Sequence, residues 1–163
     1  MEAHHTPEKH NAKNMHYKKF IWMILISFAA MYILMYSMVD TFENVIPNVN
    51  QIYMASLMTA AMILIEMLVM SGMYKNRKYN AIIISFGAAL LIASFFAIRV
   101  QTAVSVRQFL KSMVPHHAAA ILMVKGAEIQ DPEIQKLAEE IISSQQKEID
   151  FMKAKLKEID RRK

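Results

Sequence analysis

The sequence predicts an all-α fold in which three transmembrane helices precede an extracytoplasmic helical hairpin. Hydrophobic residues make up 55% of the 163 residues, and most of them are gathered into three long runs within the first hundred positions. The C-terminal third instead has apolar residues at alternating steps of three and four, the spacing of packed amphipathic helices. With 3 Gly and 4 Pro, the chain has too few turn-forming residues for a β-sandwich or barrel.

The apolar runs are long enough to span a bilayer as helices. About twenty residues at about 1.5 Å each cover the hydrocarbon core of roughly 30 Å. The first run is followed by Asp40 and Glu43 rather than by a small-residue cleavage site, so it is predicted to be retained. The predicted segments are a polar, disordered tail (1–19), a membrane region (20–98) with runs at 20–39, 52–74 and 81–98, and a hairpin domain (99–163).

The basic residues predict the orientation of these helices. The loop after the second run carries Lys75, Arg77 and Lys78, whereas the loop after the first run has neither Lys nor Arg. The positive-inside rule then predicts a multi-pass protein of the cytoplasmic (inner) membrane, with the N terminus cytoplasmic and the hairpin in the periplasm or its equivalent. No aromatic–basic motif accompanies the net charge of +5, so no nucleic-acid partner is predicted. The basic residues of the tail are Lys9, Lys13, Lys18 and Lys19. The tail also carries four histidines, which are predicted to be solvated: His4, His5, His10 and His16.

A methionine stripe runs along the second helix. Residues four apart share one slowly drifting helical face, and methionine there either fills gaps between helices or lines a path for a soft monovalent ion. Glu66 is predicted to lie in mid-membrane, where a carboxyl is costly; it either bonds to Ser56, Thr59 or another helix, or belongs to that path. The stripe consists of Met54, Met58, Met62, Glu66 and Met70, and the first run carries Met31, Met35 and Met38 at comparable spacing.

The hairpin is predicted to consist of two antiparallel helices. The first continues the third membrane helix without a break, and Pro115 is expected to kink it or to start a new turn. Asp131 and Pro132 mark the turn, because Asp caps helices and Pro suits the first helical position. The second helix is expected over 132–160. The predicted seams are Ala103, Val106, Leu110, Met113, His117, Ala120, Val124 and Ala127 on the first helix, and Ala138, Ile141, Gln145, Glu148, Met152 and Ile159 on the second.

Two helices alone make a small core. Roughly sixty residues bury too little apolar surface to offset the chain entropy of about 1.5 kcal/mol per residue. The cheapest second layer is another copy of the hairpin, so we expect a homodimer or higher homo-oligomer in which two hairpins form a four-helix bundle.

Nitrogen and sulfur donors are expected to meet where the two helices pack. Thioethers with imidazoles suit Cu(I) and Ag(I), and zinc could use the histidines with Glu148. The chain has 0 Cys, which excludes thiolate sites. The alternative is that the histidines form a hydrogen-bonded pair and the methionines are core residues. The predicted metal ligands are His116 and His117, with Met113, Met123 and Met152 as soft ligands and Glu148 and Gln145 as partners that orient an imidazole.

Residues 109–156 resemble the family of uncharacterised domains catalogued as number 305. The shared motif is Met-x-x-His-His, then Ala-Ile-x-Met, an acidic or Pro turn, and Gln-x-x-Glu-Ile-x-x-Met. The resemblance implies a ferritin-like helical fold and kinship with periplasmic members that bind copper or silver through Met and His. The matching positions are Met113, His116, His117, Met123, Gln145, Glu148, Ile149 and Met152.

These observations predict a membrane-anchored protein that binds Cu(I) or Ag(I) in metal buffering, transfer or tolerance. An enzyme is not predicted. A di-iron oxidase needs Glu-x-x-His motifs from two helices, and no such motif occurs after residue 20; no Ser with a neighbouring base suggests a hydrolase. The alternative is a structural, oligomeric membrane protein or a transport component that uses the methionine stripe and Glu66.

Overall fold

The computed structural model describes residues 8–162, with side chains from Met15 onward, and no strand occurs in this range. The all-α prediction is therefore confirmed. The chain forms two compact units. One contains the chain up to Tyr32 together with Tyr53–Val100, and the other, the hairpin unit, contains Ile33–Ile52 and the residues from Gln101 onward. The helices are α1 (Glu8–Leu34), α2 (Val49–Val69), α3 (Arg77–Arg99), α4 (Val106–Gly126) and α5 (Pro132–Arg161), with 3₁₀ turns at Met35–Met38 and Phe42–Asn44.

Three stretches are long and apolar enough to cross a membrane, as predicted: Met15–Met38, Val49–Val69 and Arg77–Arg99. α1 already begins at Glu8, so the described part of the polar tail is helical rather than disordered. α2 ends at Val69, where the chain turns through a bond from the Met73 amide to the Met70 carbonyl. Glu66 therefore lies in the last turn of α2, near the end of the apolar stretch Val49–Val69 rather than at its centre.

The predicted continuous helix from α3 into α4 is also wrong. The chain leaves the helix after Arg99, and Gln101 and Ala103 have φ angles of 52° and 56°. A left-handed residue cannot continue a right-handed helix. Ser105 then caps α4 by accepting a bond from the Gln108 amide. Ser-x-x-Gln is a capping-box spacing, so the sequence carried a signal for this new start.

α4 runs through Pro115 without ending, and Pro115 is buried inside it. The expectation that Pro115 would start a new turn is therefore wrong. The turn into α5 is confirmed, since the Asp131 side chain accepts bonds from the amides of Glu133 (2.8 Å) and Ile134 (3.1 Å), and Pro132 is the first helical residue.

Replacing Asp131 by Ala should destabilise the first turn of α5 by about 1 kcal/mol, because two amides lose their acceptor. Hydrogen exchange of the amides in that turn measures the change. Lys157→Ala, exposed on the same helix, is the control and should change the opening free energy by less than about 0.5 kcal/mol. Equal effects of the two substitutions would contradict the cap.

The hairpin core differs from the predicted seam of α5. Met152 is buried as expected, but Ile149 and Leu156, which the predicted seam omits, complete the core, and Glu148 is exposed. The contact face of α5 thus keeps Met152 and Ile159 from the prediction. Glu148 lies at the edge of the contact, and Ile149 lies inside it. The core cluster is Leu110, Val114, Ala118, Ile121, Ile149, Met152 and Leu156.

Part of the second layer on this core comes from the same chain. Val39 and Ile46, between α1 and α2, pack against the core cluster. The Val49 amide donates to the Gln108 side chain at 3.2 Å, and Asn50 donates to the Ser112 hydroxyl at 3.3 Å. The expectation that a second copy supplies the whole second layer is therefore incomplete.

Candidate metal-binding site

His117 lies at the contact between α4 and α5, with both ring nitrogens engaged. Nδ1 is 2.9 Å from the carbonyl oxygen of Met113, one turn earlier on α4. Nε2 is 2.6 Å from Oε2 of Glu148 on α5. The residue is buried, whereas the Glu148 side chain is 55% exposed. The imidazole is therefore held in one orientation, with one nitrogen facing a group that reaches solvent.

This geometry assigns the two nitrogens different roles. A carbonyl oxygen only accepts hydrogen bonds, so Nδ1 carries a proton. The nitrogen with the available lone pair in the neutral ring is then Nε2. Nε2 faces the carboxyl of Glu148 at 2.6 Å. A metal ion that binds Nε2 has to take the place of this contact.

The backbone carbonyl of Met113 thus performs the orienting role that the sequence suggested for Glu148 and Gln145. Metal-bound histidines usually donate their other ring N–H to such an acceptor, which fixes the tautomer. Glu148 instead contacts Nε2, the nitrogen that a metal ion would use. Sequence reasoning missed the carbonyl because every residue has one and no side-chain pattern reveals which is used.

His116 is placed differently from its neighbour. Its side chain is exposed, and its ring centroid is 6.1 Å from that of His117, with the planes at 62°. Consecutive residues on a helix point about 100° apart, so His117 enters the α4–α5 contact and His116 does not.

Of the three methionines predicted as soft ligands, two lie at the hairpin core and one is exposed. Met152 is buried in the core cluster and Met113 packs against that cluster, whereas Met123 is 56% exposed on α4. Gln145 is half-buried on α5. The structure therefore gathers Met113, His117, Glu148 and Met152 along one helix contact, and leaves His116 and Met123 exposed. Among the described side chains, no three His, Cys, Asp or Glu groups converge in a way that could hold a metal ion.

Glu66 and the methionine stripe belong to the other unit. The hydroxyl of Tyr74, just after α2, donates to Glu66 at 3.4 Å. Glu66 therefore pairs with a hydroxyl beyond its own helix, whereas Ser56 and Thr59 were the partners predicted within it. Burial, and then the charge of Glu66, raise the pKa of Tyr74 above its ordinary value. Along the stripe, Met54 and Met58 are exposed.

The histidines of the tail contribute no described site. His16 is exposed on α1. His4, His5 and His10 fall outside the part of the chain whose side chains the structure describes.

The helices define the class of protein, a helical hairpin joined to helices of membrane-spanning length. Residues 97–163 match the family described as domain of unknown function (DUF305). The chain is also similar to Uncharacterized protein L153 of Acanthamoeba polyphaga mimivirus, with 34% identity over 142 residues that cover 83% of this chain and 90% of that protein. No solved structure matches. The chain belongs to the DUF305 family, as the resemblance of residues 109–156 predicted.

Proposed function

We propose that this protein is a membrane-anchored carrier of Cu(I) or Ag(I) that acts in metal buffering, transfer or tolerance. The observation that supports this proposal best is the state of His117. Its Nδ1 is held by the Met113 carbonyl at 2.9 Å, and its Nε2 faces the partly exposed Glu148 carboxyl at 2.6 Å. A metal ligand requires an imidazole that is oriented in advance through one nitrogen while the other can exchange its partner.

The surroundings of His117 favour a soft ion. Met113 lies one turn away on α4, and Met152 lies in the core that α4 and α5 share. Thioether sulfur prefers Cu(I) and Ag(I) over Mg²⁺ or Ca²⁺, which take several oxygen ligands. Among the described side chains, Glu148 is the carboxylate that pairs with the imidazole, and a single carboxylate does not favour a hard cation.

The hairpin is proposed to lie on the extracytoplasmic side of the membrane. The support is the distribution of basic residues, since Lys75, Arg77 and Lys78 follow the second apolar stretch and no Lys or Arg follows the first. The chain has 0 Cys, so thiol labels can report this directly. A cysteine at Lys125 should react from the outside, and one at Lys78 should react only after the membrane is permeabilised.

The test of the function is Cu(I) binding by the full chain in detergent or lipid nanodiscs. We expect the protein to compete with a chromophoric Cu(I) chelator under reducing conditions, and Ag(I) to displace the bound copper. The double variant His116→Ala, His117→Ala should lose the tight site.

The control for this test removes the other histidines. A variant with His4, His5, His10 and His16 replaced by Ala should bind as the wild type does. Unchanged affinity in the hairpin double variant, or loss of binding in the tail variant, would refute the proposed site.

A further inference from the structure

α4 carries a second stripe of side chains that are exposed or half-buried, and the half-buried Met113 in it also packs against the core cluster. Phe109 is 49% exposed and Met123 is 56% exposed, and His116 between them is exposed as well. Residues at alternating steps of four and three lie along one face of a helix. The α4 stripe consists of Phe109, Met113, His116, Ala120 and Met123.

α5 carries a matching stripe. Leu137 is 54% exposed and Phe151 is 61% exposed, and Glu148 lies between them in the same heptad spacing. Apolar side chains of this size repeated along a helix usually pack against a partner. The α5 stripe consists of Leu137, Ile141, Ser144, Glu148 and Phe151.

The two stripes border each other on one side of the hairpin. The 2.6 Å contact joins Glu148, a member of the α5 stripe, to His117, the neighbour of His116. The core cluster lies beneath this contact, and Val39 and Ile46 pack against that cluster from the same chain. The two stripes together form one surface of exposed and half-buried side chains, which we call the outer face.

The register between the helices is fixed inside each chain. His117 pairs with Glu148 at 2.6 Å, and Arg107 near the start of α4 pairs with Asp160 near the end of α5 at 2.7 Å. A two-fold axis parallel to the helices keeps every residue at its own height. A second hairpin placed by such an axis on the outer face therefore sets α4 against the partner's α5 in this same antiparallel register.

In that register the two stripes complement each other. His116 comes to the height of the partner's Glu148, so the imidazole of one stripe meets the carboxylate of the other. Ala120 meets the partner's Ser144, and two small residues let the helices approach closely. Met113 meets the partner's Phe151, a favourable sulfur–aromatic contact. This complementarity in charge, size and chemistry identifies a second copy of the chain as the occupant of the outer face.

We infer that two copies pack through their outer faces and that each soft-metal site is shared, with His117 and Glu148 from one chain and His116 from its partner. This inference rests on the proposed function. It accounts for the exposure of His116, and it supplies a third His or carboxylate group, which the described residues of one chain do not bring to His117. Two equivalent sites form in each dimer because the axis repeats every contact.

Complementation between two defective chains tests the sharing. His116→Ala and His117→Ala chains with different tags are coexpressed, and mixed dimers are isolated through both tags. A shared site leaves one intact site per mixed dimer, because the remaining His116 and His117 lie on different chains and meet across the interface. Cu(I) competition should then give half the wild-type stoichiometry at wild-type affinity, while each variant alone gives none. Mixed dimers without a tight site would overturn the inference.

Cysteine cross-linking tests the interface without metal. One tagged chain carries Ala120→Cys and the other carries Ser144→Cys, and mild oxidation should join them. Lys125→Cys with Glu139→Cys, at matching heights and exposed outside the outer face, should stay separate. Cross-linking of Ala120→Cys to itself would overturn the proposed axis, because it requires α4 to face α4.

The two experiments separate this inference from the proposed function. If wild-type protein binds Cu(I) tightly but gives neither complementation nor cross-links, the function stands and the shared site is overturned. If the 120–144 cross-link forms but wild-type protein binds no Cu(I), the interface stands and the metal site is overturned. Far-UV circular dichroism of each variant confirms that the helices have formed.

Discussion

Replacing Ile149 by Ala should destabilise the hairpin unit by about 2–5 kcal/mol, the usual cost of emptying a fully buried isoleucine site. Ile149 is 0% exposed and is among the largest fully buried side chains. Its neighbours in the core cluster come from both helices, so the cavity cannot close by a shift of one side chain. Because domains are stable by only about 5–15 kcal/mol, this loss should leave the hairpin partly unfolded at growth temperature.

Hydrogen exchange followed by mass spectrometry measures this effect in the full chain, since it resolves α4 and α5 from the membrane helices. The control is Leu122→Ala, on α4, which removes an exposed leucine outside both the core and the outer face. It should change the opening free energy by less than about 1 kcal/mol. A similar loss in both variants would mean that the core does not lie where Ile149 places it.

Replacing His117 by Gln should weaken Cu(I) binding by more than the roughly 10–100-fold that follows loss of an outer partner, because the coordinating nitrogen itself disappears. Gln retains a polar side chain of similar reach but offers no imidazole. The substitution also removes the ring whose Nδ1 bonds to Met113 and whose Nε2 meets Glu148. Competition with a chromophoric chelator gives the affinity.

Two further variants make this result specific. His16→Gln, exposed on α1, should leave the affinity unchanged. Met152→Leu preserves core volume and should cost less than about 1.5 kcal/mol in stability, so a lower Cu(I) affinity in that variant would report the thioether alone. Wild-type affinity in the His117→Gln variant would exclude His117 as a ligand.

Features that depend on neighbouring residues were predicted well. The three apolar stretches were found because span length follows from a run of hydrophobic residues. The α4–α5 turn was found because Asp131 and Pro132 act on amides within three residues of themselves. The break between α3 and α4 was missed, because the left-handed conformations of Gln101 and Ala103 are not typical of those residue types. The Ser105 cap was the available signal.

The candidate site was predicted only in outline. The sequence predicted that Met113, His116, His117 and Met123 of the first helix share one broad face that meets the second helix. In the structure, His117 lies in that contact, whereas His116 and Met123 are exposed. A face this broad spans more than one helix contact. Which part turns inward depends on how Ile121 and Ile149 pack, and neither residue belonged to the predicted seams.

The sequence by itself determined the class of this protein: helices of membrane-spanning length joined to a DUF305 hairpin, because hydrophobic run length, caps and motif spacing act along the chain. Only the tertiary structure decided that His117 lies inside and His116 outside, and that the Met113 carbonyl and Glu148 hold the inner imidazole. Adjacent helical residues differ by about 100° in direction, so the rotation of each helix, set by packing against the other, chooses between them.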